Sequence, residues 1–255
     1  MSFAICVYVP EAIVLASDSR QMMQLERRPI VPEHGQEPKE PPQRILTVAT
    51  DTAEKVFSFY DRVGVAAIGE HVVDGQPLSF EIRNCVYNDC TEKSSVQEVA
   101  EALRKHFHDI HPNAKAQFLV AGFEEGAGTP FPEVYSVVTH QNTSKQINFH
   151  DGRLIYGCLW MGDGDILSTM LSATEIRDGS GAHHKIALPS LGFEGMTPQD
   201  ARDFARFAVG VTRTLQRFQL RPKTVGGKTQ CLMIFPDGLD WADKWDQVVD
   251  AETEQ

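Results

Sequence analysis

Ser2–Val9 and Ala12–Ser17 open the chain as two apolar, β-branched runs parted only by Pro10-Glu11, a pattern that predicts a tight hairpin. Ile45–Thr50, Lys55–Phe59 and Val63–Ile68 read as further strands, with Asp61-Arg62 turning the last pair. The period then changes. Leu78, Ile82 and Val86 recur four apart within Gly75–Asp89, which predicts a helix. Ser95 and Glu98 are spaced as a capping box for a second helix, with Val96, Val99, Leu103 and Phe107 as its apolar stripe. Ala116–Phe123 and Val134–Thr139 predict strands either side of a Gly/Pro-rich loop, Glu124–Pro132, and Ile147–Phe149 and Leu154–Cys158 continue in strand form. Ile166–Ile176 predicts a helix. The strongest helix starts after Thr197 as N-cap, with Pro198 first and Asp200 third. Phe204, Phe207, Ala208, Val211, Leu215 and Phe218 are expected to form its buried face. Thr229–Phe235 closes the pattern as a strand ended by Asp237-Gly238, and acidic Asp240–Gln255 is expected to fray.

One stretch breaks the pattern. Arg28–Arg44 carries Pro29, Pro32, Pro38, Pro41 and Pro42 and reads as an exposed insertion without a core of its own. Strands and helices are otherwise segregated, which implies α+β layering rather than a parallel βαβ sheet. The expected organisation is one domain over residues 1–240, including the 28–44 insertion, and an acidic tail over 241–255.

Composition narrows the function. The chain has 255 residues, 42% of them hydrophobic, enough for the core of one domain or at most two. Asp and Glu number 35 against 24 Lys and Arg, for a net charge of −11 and no basic run. That balance argues against nucleic acid as a partner. No apolar run approaches the ~20 residues of a membrane span. Met1-Ser2-Phe3 has no basic n-region, so no signal peptide and a cytoplasmic location are expected. Cys6, Cys158 and Cys231 lie in apolar segments and read as core residues, and Cys85 and Cys90 make no CxxC pair. His150 and the adjacent His183-His184 have no carboxylates clustered with them, so they are read as solvated. Neither metal nor cofactor is expected.

The candidate chemistry sits at the start of the chain. Removal of Met1 would leave Ser2 as an N-terminal residue carrying both nucleophile and base. Its hydroxyl can attack a carbonyl while its α-amine, with a reference pKa of about 7.7–8.0, accepts the proton.

Six stretches, in order, carry a family resemblance. They are Ile13-Val14-Leu15-Ala16-Ser17-Asp18-Ser19-Arg20, Lys55-Val56-Phe57, Gly64-Val65-Ala66-Ala67-Ile68-Gly69, Phe118-Leu119-Val120-Ala121-Gly122 with Val134-Tyr135-Ser136-Val137, Met196-Thr197, and Val225-Gly226-Gly227. On these the chain resembles the proteasome β-subunit superfamily, which includes the HslV-type peptidases and the ancestral bacterial form without a propeptide. The resemblance spans roughly residues 2–240. It implies a four-layer αββα sandwich of the N-terminal-nucleophile hydrolase type.

It also implies roles. The family places an Asp sixteen positions after its nucleophile, and Asp18 stands there if Ser2 is the first mature residue. Lys55 matches the catalytic lysine, whose charge would be held by Asp18 and would favour ionisation of the Ser2 hydroxyl. Gly69 falls where the family presents a backbone N–H to the oxyanion, and Gln21, Ala53, Ala67 and His71 fall at the substrate pocket. The implied partners are a peptide or unfolded protein substrate, further copies of the chain in a ring or helical homo-oligomer, and an unfoldase or adaptor. Two places depart from the family. Gly162-Asp163-Gly164 replaces its Gly-Ser-Gly, so Asp163 could serve as acceptor for the α-amine or raise its pKa. Pro222-Lys223-Thr224-Val225 replaces its Asp-x-x-Ser. These departures leave open a catalytically silent structural subunit, or an acylase or transpeptidase of the same fold.

Overall fold

Strands β1 (Phe3–Tyr8) and β2 (Ile13–Asp18) form the expected hairpin, closed by Val9 N–H donating to the Ala12 carbonyl at 3.0 Å. Every residue of both strands is buried, as near-continuous apolar runs require of strands covered on both faces. The computed structural model describes residues 2–27, 43–126, 128–171, 174–177, 179–180, 183–186 and 191–243.

Next come β3 (Gln21–Arg27) and β4 (Gln43–Thr50), which pair as a two-stranded ribbon. The sequence pattern does not announce β3, because Gln21-Met22-Met23-Gln24 does not alternate. Its strand form comes from pairing with β4, which begins at Gln43, inside the expected insertion. Residues 28–42 of that insertion lie outside the described residues. Strands β5 (Val56–Phe59) and β6 (Val63–Gly69) turn through Tyr60 and Asp61, both left-handed at φ 54 and 53.

The first helix does not begin at Gly75. Asp74-Gly75, at φ 48 and 87, instead makes the tight turn of a small hairpin, β7 (Val72–Val73) with β8 (Gln76–Pro77). Helix α1 (Leu78–Asp89) follows directly. Helix α2 (Val96–Ile110) carries the Ser95–Glu98 capping box in full. Strands β9 (Ala116–Glu124), β10 (Phe131–Val138) and β11 (Thr143–Gln146) succeed it.

Ile147–Phe149 is not one strand. Asn148 is buried there, its Oδ1 accepting from Val134 N–H and its Nδ2 donating to the Pro132 carbonyl. A side chain thus takes over the ladder, and the chain leaves strand form. The Leu154–Cys158 strand is likewise divided: β12 (Phe149–His150) and β13 (Arg153–Leu154) make a hairpin, and β14 (Gly157–Gly162) begins afresh and pairs with β1.

The helix expected over Ile166–Ile176 is α3 (Asp165–Leu171), shorter because Thr174–Arg177 is a strand, β15, paired with β16 (His183–Ile186). His183 and His184 therefore lie in a two-stranded ribbon. Helix α4 (Pro198–Gln216) has the expected Thr197 cap and Asp200 partner. The final pair is β17 (Thr229–Phe235) with β18 (Gly238–Asp243). Trp241, Ala242 and Asp243 therefore belong to a sheet and not to a frayed tail.

Among the described residues the fold is mixed α+β, with four α-helices and antiparallel sheets. One five-stranded sheet runs β14-β1-β2-β17-β18 and the other β11-β10-β9-β6-β5. Ala4, Cys6, Leu15 and Leu232 of the first pack against Ala66, Leu119 and Ala121 of the second. The other face of the second sheet packs Phe118 and Val120 against Ile82, Leu103 and Phe107 of α1 and α2. The other face of the first packs Ile5, Val7 and Val14 against Leu167 of α3 and Ala201, Ala205 and Ala208 of α4.

The buried face of α4 differs from the expected one. Ala201, Ala205, Ala208, Val209, Thr212 and Gln216 face inward, while Phe207, Leu215 and Phe218 are exposed. Small residues let the helix lie close over β1 and β2, so the bulky stripe is rotated outward.

Candidate active site

The hairpin places Ser2 just before β1 and Asp18 at the end of β2, at the same end of the sheet. Ser2 is fixed through its backbone. Its carbonyl accepts from Asp163 N–H at 2.8 Å, just past the end of β14. Gly162, at φ +82, allows this approach, because a Cβ there would run into the Ser2 carbonyl. The following residue is clamped on both sides. Phe3 N–H donates to Asp18 Oδ1 at 3.0 Å, and the Phe3 carbonyl accepts from Ser17 Oγ at 2.9 Å.

Asp18 is the hub of this end of the sheet. Its Oδ1 takes Phe3 N–H and the Lys55 Nζ at 2.8 Å, and its Oδ2 takes the N–H groups of Arg20 and Gly226, each at 3.0 Å. Its side chain is 1% exposed and that of Lys55 is 9% exposed. A buried carboxylate with four donors is fully satisfied and holds three chain segments together. Lys55 Nζ also donates to the Arg20 carbonyl at 2.5 Å. Burial pushes the Lys55 ammonium below the ordinary lysine value, against the opposing pull of Asp18.

The entry to β5 at Lys55 and Val56 is held by a residue the sequence pattern does not reveal. Gln230, buried on β17, accepts from Lys55 N–H at 2.9 Å and Val56 N–H at 3.1 Å, and donates to the Ala53 carbonyl at 2.8 Å. Arg20 is tied to both oxygens of Asp51 and to the Lys223 carbonyl. The hydrogen bond to Arg20 holds the Asp51 carboxyl below the usual carboxylate range. Gln230 is legible in the sequence only as a strand residue, since its partners lie far away in the chain.

A cavity of about 160 Å³ opens at this point, and its lining brings together seven of the sequence-derived candidates: Ser2, Gln21, Ala53, Lys55, Ala67, Gly69 and His71. Phe57, Ile82 and Leu78 supply apolar wall, and Glu54, Glu70 and Ser79 supply polar groups that the sequence reading did not include. Gly69 ends β6 at φ +142, where a Cβ would meet the Lys115 carbonyl and Ala116 Cα. Asp18 lies behind Lys55, in contact with it. Asp163 reaches Ser2 through its backbone N–H, while its carboxylate accepts a short hydrogen bond from Thr224 Oγ1. In turn, Gln216 on α4 bonds Thr224 and accepts from Val225 N–H at 2.9 Å. Thr224 thus supplies a hydroxyl partner for the carboxylate at 163.

The five cysteines form no disulfide, and burial pushes the thiols of Cys90 and Cys158 up to about 11. They stand apart from the cavity lining as packing residues. No described helix is long and apolar enough to cross a membrane. In comparisons with known proteins, no family model and no curated sequence matches the chain.

Proposed function

We propose that this protein is an N-terminal-serine peptidase of proteasome β type, active after loss of Met1, with its two sheets and flanking helices forming the αββα sandwich of N-terminal-nucleophile hydrolases. The observation that carries this reading is the buried Lys55–Asp18 pair at a cavity that Ser2 and Gly69 also line. A buried, partnered lysine serves little purpose in packing, and because Lys55 lines the same cavity as Ser2 its charge would favour a developing alkoxide there.

The reaction would proceed by acyl transfer. Ser2 Oγ attacks the scissile carbonyl carbon as its proton passes to the Ser2 α-amine. The oxyanion is stabilised by the backbone N–H at Gly69, a donor of a kind worth about 3–4 kcal/mol in the transition state. The protonated amine then gives its proton to the leaving amine, and the C–N bond breaks to leave an ester on Ser2. Water, with the α-amine again as base, hydrolyses that ester to a carboxylate and frees the hydroxyl. Gln21, Ala53, Ala67 and His71 would contact the substrate, a peptide or unfolded protein. In this reading the chain assembles with copies of itself in a ring or helix, and an unfoldase or adaptor supplies substrate. A Ser2→Ala protein should fold and assemble normally yet lose all peptide cleavage; undiminished cleavage would sink the proposal.

The alternative of a catalytically silent scaffold has one observation in its favour. The Asp163 carboxylate is committed to Thr224, in a segment that lacks the family's own carboxylate. Absence of turnover with an intact Lys55–Asp18 pair would favour that reading.

A further inference from the structure

Away from the cavity, α1 and α2 bury three ionisable side chains against one another. Glu81 Oε2 lies 3.2 Å from His106 Nε2 and 3.2 Å from His111 Nε2. All three side chains are less than a tenth exposed, and their candidate ligand atoms lie within 4.8 Å of one another. The other ring nitrogen of His111, Nδ1, sits 2.6 Å from Asp74 Oδ2. Cys85 and Asp89 lie beside His106.

We propose that Glu81, His106 and His111 bind a divalent transition-metal ion, with zinc the best match. A tetrahedral zinc site with bonds of about 2.0–2.1 Å has ligand–ligand edges of about 3.3 Å. The two observed oxygen–nitrogen separations are within about a tenth of an ångström of that edge. The donor set of two imidazoles and one carboxylate is one that zinc takes. Asp74 completes the arrangement expected around a ligating histidine, a carboxylate accepting from the distal ring N–H. His111 faces a carboxylate through each ring nitrogen, Glu81 at Nε2 and Asp74 at Nδ1. With zinc bound, its Nε2 lone pair would go to the metal, and any proton held at that nitrogen would pass to solvent. Water would fill the fourth position, and a groove lined by His106, Glu98, Glu101 and Asp109 gives an entry path from solvent.

The ion would join the β7–β8 turn at Asp74, α1 and the end of α2. Leu78, Ser79 and Ile82 at the start of α1 also line the Ser2 cavity, so the site would stiffen one wall of it. The inference does not depend on the reaction proposed above.

The test is zinc titration of the full chain after chelator stripping, in competition with a chromophoric chelator, with proton release recorded. One equivalent of zinc per chain is expected, and cobalt in its place should give the intense visible bands of a four-coordinate site. A His106→Gln/His111→Gln variant, shown to be folded by circular dichroism, should lose this equivalent; uptake equal to the wild type would overturn the proposal. Asp74 is largely exposed, so Asp74→Asn should fold normally. It should weaken zinc binding by about 10–100-fold; unchanged affinity would overturn the proposal even if the double variant does not fold.

Discussion

Replacing Asp18 by Asn separates the electrostatic role of this residue from its shape. The carboxylate serves four donors, two on each oxygen: Phe3 N–H with Lys55 Nζ, and Arg20 N–H with Gly226 N–H. An Asn in the same rotamer keeps one oxygen and turns an NH₂ against the other two donors. Each buried donor left unpaired costs about 1–3 kcal/mol. The Lys55 ammonium also loses its counter-charge, and removing one partner of a buried pair costs about 3–5 kcal/mol. The two effects overlap, so the expected loss near neutral pH is about 4 kcal/mol, a large share of the roughly 5–15 kcal/mol of a typical domain. Urea unfolding monitored by tryptophan fluorescence reads it directly. A cycle with Lys55→Met and the double variant isolates the pair.

The pH dependence has a defined sign. Burial already holds Lys55 below its ordinary value, and loss of Asp18 lowers it further. Between that lowered value and about 10.4, the unfolded chain binds more protons at this lysine than the folded one, so stability rises with pH. The deficit of Asp18→Asn should therefore shrink from pH 7 toward pH 10. A deficit under about 1 kcal/mol at pH 7, within the range of an exposed pair, or one that does not change with alkali, would refute the reasoning.

Other substitutions probe the parts separately. Gly162→Ala places a methyl against the Ser2 carbonyl at a left-handed φ. It should lower kcat for peptide cleavage at least tenfold, because Ser2 must shift, and KM should change little. Gln230→Leu leaves the N–H groups of Lys55 and Val56 and the Ala53 carbonyl unpaired; it should destabilise by about 2–5 kcal/mol in urea unfolding. Ala67→Phe fills the cavity beside Ser2 and should raise KM for peptides while Ser2 still reacts with a small β-lactone. In contrast, Phe207→Ser on the exposed stripe of α4 should leave the stability of the isolated chain within about 0.5 kcal/mol.

Much of the local structure is readable in the residue pattern, because it depends on neighbours in sequence. The β1–β2 hairpin follows from two apolar runs around Pro10-Glu11, and the starts of α2 and α4 follow from the Ser95–Glu98 and Thr197–Asp200 capping pairs. What the pattern misses depends on distant partners. Gln21–Arg27 is a strand because Gln43–Thr50 lies alongside it. Trp241–Asp243 is held by β17 despite its acidic surroundings. Helix α4 buries its alanines against β1 and β2 and leaves Phe207 and Leu215 exposed, the reverse of what side-chain size alone suggests.

The candidate site shows the same division. Ser2, Asp18, Lys55 and Gly69 could be named from the resemblance, and the fold places Ser2, Lys55 and Gly69 on one cavity with Asp18 behind it. Gln230 lies 175 residues from Lys55, and no local signal marks it. Glu81, His106 and His111 meet only because α1 and α2 pack together.

The central claim is that Ser2 is a free N-terminal nucleophile. The most direct test is the intact mass of the untagged protein before and after incubation with a β-lactone inhibitor, with the site mapped by peptide sequencing. The account predicts loss of one methionine and a single ester adduct on Ser2. A retained Met1 with no adduct would contradict it and leave the fold without that chemistry.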